Sequence, residues 1–114
     1  MKLLTEKMSV GEVRRMAERL FGNLVKAVVD VRLRHVVVDA ELHSDEEAFL
    51  LAEGSKQQDL WGINLYPDMD PNGPDFIEFD SMINLRPNQK NRSRGVEDER
   101  TRALIAEIVR EWIR

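Results

Sequence analysis

Two runs of period-two alternation, set close together, constrain this chain more than any other feature. From Leu24 onward Val25, Ala27, Val29 and Val31 alternate with Lys26, Val28, Asp30 and Arg32. After a short turn, Val36, Val38, Ala40 and Leu42 alternate with His35, Val37, Asp39, Glu41 and His43. Successive side chains of a strand point to opposite faces, so the pattern predicts an antiparallel hairpin with one apolar face. That face needs a partner layer.

The flanking segments supply it. Ser9-Val10-Gly11-Glu12 has capping-box spacing, and Val13, Ala17, Leu20 and Phe21 recur at helical intervals, which predicts a helix over Val10 to Phe21. Ser44-Asp45-Glu46-Glu47 reads as a second capping box, opening a short helix that stops at Gly54. Two further strands are expected at Leu60 to Tyr66 and Phe76 to Arg86, separated by the turn-rich Pro67 to Pro74. Leu104, Ile105, Ile108, Val109, Trp112 and Ile113 form the stripe of a closing helix. The expected fold is α+β: a four-stranded, mainly antiparallel sheet with three helices in the order α-β-β-α-β-β-α, packed mostly on one face. With no internal repeat and no compositional break, residues 1–114 read as one domain.

Composition narrows the chemistry. There is no cysteine, so disulfides, thiolate metal sites and a thiol nucleophile are excluded. No apolar run approaches membrane-spanning length, and nothing near Met1 resembles a signal peptide, so the expectation is a cytoplasmic protein with no membrane partner. The net charge of −4 disfavours nucleic acid, although Arg86 to Arg94 holds four cations and no acid. That stretch leads into a helix start already occupied by Glu97, Asp98 and Glu99, and its guanidinium and amide groups suit an anion.

Extending the strand phases puts Val25, Val29, Val36, Val38, Ile63, Leu65, Ile77, Phe79, Ile83 and Leu85 on one face. The other face then holds Asp39, Glu41, His43, Asn64, Asp80, Asn84 and Arg86, together with Lys26, Asp30, Tyr66 and Glu78. Asp and Asn are poor strand residues, because their side chains compete for backbone groups, so their presence asks for compensation. A wet sheet face is one explanation; a ligand surface is the other. Asp39, Glu41 and His43, with Glu46 and Glu47 following, offer two carboxylates and an imidazole for a divalent metal, but His35 is the one remaining histidine and no metal or cofactor is called for. Asp68-Met69-Asp70-Pro71-Asn72-Gly73 begins like a calcium loop and fails at its twelfth position, Phe79. Gly54-Ser55-Lys56 lacks the upstream glycine of a phosphate loop.

The strings Asp39-Ala40-Glu41-Leu42-His43, Gly54-Ser55-Lys56-Gln57, Asp59-Leu60-Trp61-Gly62-Ile63-Asn64, Ser81-Met82-Ile83-Asn84-Leu85-Arg86-Pro87, Asn91-Arg92-Ser93 and Val96-Glu97-Asp98 resemble the domain-of-unknown-function family numbered 5674. The resemblance implies a small bacterial or archaeal cytosolic protein and carries no activity with it. The leading expectation is a binding module that recognises a small anionic ligand or a protein partner through Asp39, Glu41, His43, Asn64, Asp80, Asn84, Arg86, Asn91 and Arg92. One rival is a small hydrolase or lyase, with or without a metal, using Asp39, Glu41 and His43. Another is a structural homo-oligomer.

Overall fold

The computed structural model describes residues 1–114. Helix α1 (Val10–Leu20) begins where its capping serine predicts: Ser9 Oγ accepts the Glu12 amide at 3.1 Å. The hairpin follows as β2 (Val25–Asp30) and β3 (His35–Val38), in antiparallel register from Ala27 opposite Val38 to Asp30 opposite His35. Helix α2 (His43–Ala52), strand β4 (Leu60–Leu65) and helix α3 (Glu99–Trp112) come next, with Asp98 capping α3 through Thr101.

The sheet has five strands rather than four. Lys2–Leu3 forms a two-residue strand, β1, against β3, too short to leave a periodic signature. Strand β5 covers only Ile77–Glu78, and the final order is β1-β3-β2-β4-β5, antiparallel throughout.

Alternation between Phe76 and Arg86 therefore predicts too long a strand. Beyond Glu78 the chain leaves the ladder, and Ser81, whose Oγ accepts the Ile83 amide, caps a 3-10 turn at Met82–Asn84. A second such turn occupies Pro87–Gln89. Ile83 consequently packs on the reverse face, while Leu85 is 43% exposed and belongs to neither.

The β3 strand also ends earlier than its pattern. It stops at Val38, and Asp39 takes a left-handed φ of 70°, which breaks the alternation before Glu41. Helix α2 starts at His43 with Leu42 at its N-cap and no side-chain cap bond, so the Ser44 to Glu47 box does not form. Packing sets this start, because His43 and Glu46 turn inward and are buried. Its end is as expected: Gly54 adopts φ 102° and the Ser55 amide returns to the Leu50 carbonyl.

Both faces of the sheet are covered. Val25, Ala27, Val29, Val36, Val38, Trp61, Ile63 and Leu65 bury against α1 and α3. The opposite face, expected to be polar and either wet or ligand-binding, carries Val28, Val37 and Leu60 under Leu50 of α2, flanked by Phe49, Leu3 and Ile83. The helices thus divide two to one across the sheet, and the polar side chains of the reverse face must share it with an apolar patch.

Candidate functional site

The polar residues singled out above separate into three groups. The first closes an edge. Strand β5 pairs only with Asn64 and Leu65, which leaves the β4 edge opposite β2 without a strand partner from Leu60 to Gly62. Asn84 fills the gap: its Oδ1 accepts the Gly62 N–H at 2.8 Å, and its Nδ2 donates to the Gly62 carbonyl at 2.9 Å and to the Arg94 carbonyl at 3.0 Å. Arg86 continues the line, donating to the carbonyls of Gln57 and Leu60 with its guanidinium 4.2 Å above the Trp61 ring. Burial pulls the Arg86 pKa below its usual value, and the nearby Glu47 and Asp59 act in the opposite sense. Asn91 anchors the returning loop, its amide donating to the carbonyls of Asn84 and Gly95 at 2.7 and 2.8 Å while Oδ1 accepts the Glu97 N–H. Asn84, Arg86 and Asn91 are all buried.

The second group meets at the corner where α2 begins. His43 donates from Nε2 to the Ile63 carbonyl at 2.7 Å, which fixes the neutral tautomer with its proton on that nitrogen. Burial lowers the His43 pKa; Lys26 and Arg94 push the same way, and the Ile63 carbonyl and Asp80 oppose them. Asn64 Nδ2 bonds Glu78 at 2.9 Å and the Asp80 carbonyl at 3.3 Å, but Asn64 Oδ1 is buried without a partner. Asp80 itself pairs with Arg94 at 2.7 Å on the surface.

The third group stays apart. Asp39 lies 3.8 Å from Arg19, Glu41 is exposed, and Arg92 is exposed with its backbone N–H held by Glu97. Asp39, Glu41 and His43 therefore do not converge, and no three His, Asp or Glu side chains stand close enough together to hold a metal ion.

Two features escaped the sequence reading. Glu46 sits fully buried between α2 and the sheet, where desolvation raises its pKa to about 10; one oxygen accepts the Ala40 N–H at 3.3 Å and the other has no partner. Its helical spacing from His43 and Leu50 was the available signal. The largest hollow, about 610 Å³, is lined by none of the polar residues grouped above. It lies between residues 3–7, the hairpin turn 33–35, and Glu111 and Trp112 at the end of α3. Leu3, Leu4, Leu33 and Trp112 are its apolar lining, and Thr5, Glu6, Lys7 and His35 line it as well. Arg34, also in the lining, is already paired, forked onto Glu111 at 3.0 and 2.7 Å and reaching Glu107 at 2.8 Å. Trp112 Nε1 donates to the Arg34 carbonyl at 2.9 Å, which fixes the indole as one wall.

No helix is long and apolar enough to cross a membrane. The family described as "Protein of unknown function (DUF5674)" matches residues 2–112, nearly the whole chain, and the protein belongs to that family. No curated protein and no solved structure matches it.

Proposed function

We propose that this family member is a binding module for a small amphipathic molecule, taken up in the groove between the N-terminal segment, the hairpin turn and Trp112. The observation that carries the reading is the hollow itself. At about 610 Å³ it falls within the range of roughly 300 to 1,000 Å³ usual for small-molecule sites, with four apolar side chains in its lining and Glu6 and Glu111 among its six polar ones. An apolar body would lie on Leu4, Leu33 and Trp112. Lys7, which has no carboxylate within 4.0 Å, would meet a negative or hydrogen-bonding end beside His35.

Titration with anilinonaphthalene sulfonate, an aromatic anion of suitable size, tests this. Saturable fluorescence enhancement with unchanged near-ultraviolet dichroism is expected, and Leu33→Glu should weaken it at least tenfold. Absence of saturation, or equal binding by Leu33→Glu, removes the proposal.

A second reading keeps the ligand on the polar face, at the corner of His43, Asn64 and Asp80 with Lys26 and Arg94. What favours it is the unpartnered Asn64 Oδ1 in a buried side chain. A hydroxylated anion is the matching chemistry, and loss of its binding in Arg94→Ala with retention in Leu33→Glu would select this corner. A hydrolase or lyase built on Asp39, Glu41 and His43 has no comparable support, since those side chains do not share a cavity.

A further inference from the structure

We propose a second site, for an anion carried on an apolar group, between the Pro71–Pro74 loop and the outer face of α3. Two hollows of about 440 and 230 Å³ adjoin there, and both are lined by Arg110 and by the 71–74 loop. Arg110 and Arg114 line the larger one together with Ile113, and no carboxylate side chain lines either hollow. Neither of these two arginines has a carboxylate within 4.0 Å, although the chain as a whole is acidic.

Arg114 lies just past the extended Ile113 that ends α3, its Nε donates to the Arg110 backbone carbonyl at 3.1 Å, and both arginines line the larger hollow. The helix C-terminus favours cations and accounts for part of this placement. It does not account for the smaller hollow next to them, where Ala103 and Ala106 leave space on α3 facing Ile77 and Phe79. Arg102, at that end, is already occupied by the carbonyls of Val96 and Glu97 and by Glu99 at 3.8 Å. The anion therefore belongs at Arg110 and Arg114, where guanidinium forks suit phosphate or carboxylate oxygens, and the apolar group lies over the two alanines against Phe79.

Nitrogen-proton correlation spectra of the whole chain titrated with phenyl phosphate test the site, with benzoate, inorganic phosphate and benzyl alcohol as comparisons. Phenyl phosphate should shift the amides of Gly73, Phe79, Ala106 and Arg110 saturably, and benzoate should reveal whether a carboxylate serves as well. Inorganic phosphate should bind at least fivefold more weakly, and benzyl alcohol should not bind. The double variant Arg110→Gln with Arg114→Gln should lose at least tenfold in affinity. Ala106→Leu, which fills the apolar annex and keeps both cations, should reduce phenyl phosphate to the level of inorganic phosphate. Unchanged affinity in the double variant, no saturable shift with either aryl anion, or equal binding of phosphate and phenyl phosphate overturns the proposal. Leu33→Glu should leave these shifts intact, which separates this site from the larger groove.

Discussion

The side-chain amide of Asn84 pairs with the backbone of Gly62 as the peptide group of a neighbouring strand would, accepting its N–H at 2.8 Å and donating to its carbonyl at 2.9 Å. An open sheet edge is a template for unwanted pairing, and a buried unpaired amide is costly. Asn84 and then Arg86 close the β4 edge where β5 has already ended, without requiring the 79–86 segment to stay extended.

Replacing Asn84 with alanine removes both bonds to Gly62 and the bond to Arg94, in a place water does not reach. A net loss of roughly 1 kcal/mol per bond, plus a penalty for buried groups left unpaired, predicts destabilisation on the order of 2–4 kcal/mol. Urea unfolding of Asn84→Ala measures it. A change below about 0.5 kcal/mol, the size of an ordinary surface substitution, would mean that the carboxamide is not bracing the edge.

Gly62 is required by the same arrangement. A Cβ placed there would sit 2.6 Å from both Cβ and Oγ of Ser81 and 3.2 Å from His43 Cδ2. Gly62→Ala should therefore destabilise by about 1–3 kcal/mol through overpacking, despite alanine's better backbone entropy. Ser81→Gly removes the nearest obstruction. If the clash is the cause, the double variant should lose less than the sum of the two singles, and additive losses would rule the clash out.

The hairpin, the first and last helices and the Gly54 stop were legible because each rests on local periodicity or capping. The covering of the second sheet face by α2 was not expected, because Val28 and Val37 fall in phase with Lys26, Asp30 and His35, and the polar members of that phase set the reading. What the alternation could not reveal is that Asn84 and Arg86 reach sideways along an edge rather than outward from a face, because their partners are backbone atoms more than twenty residues away. The 610 Å³ groove was equally hidden, since its walls come from three segments distant in sequence.

Glu46 makes stability depend on pH in a direction opposite to the usual paired carboxylate. Its folded pKa of about 10 lies above the ordinary 4.5, so the folded state holds a proton that the unfolded chain releases. Its contribution is fully present below about pH 4.5 and declines as pH rises towards 10. Each unit in that window is worth roughly 1.4 kcal/mol at the limit. Lys26, the chain N-terminus and Asp39 are the charges that bear on it. Glu46→Gln, which cannot ionise, should exceed the native chain in stability at pH 8 by on the order of 2 kcal/mol, with the gap closing towards pH 5. Denaturation midpoints that track each other between pH 5 and 8 would show that Glu46 is not held neutral.

His43 has the reverse sign. Its folded pKa is depressed, chiefly by burial, so the neutral ring contributes stability above about pH 6.5 that is lost as pH falls through the folded value. The Ile63 carbonyl occupies Nε2–H, and protonation would therefore add its charge at Nδ1, among Lys26 and Arg94 on one side and Asp80 on the other. Those neighbours give two signed expectations for a proton NMR titration of the ring. Arg94→Ala removes a nearby cation and should raise the midpoint, whereas Asp80→Asn removes the opposing anion and should lower it. Because Asp80 and Arg94 pair with each other at 2.7 Å, each substitution also frees its partner's charge, which reinforces the expected shift in both cases. A midpoint that moves the same way in the two variants would mean that desolvation alone sets the ring's proton affinity and that the corner's charges do not reach it.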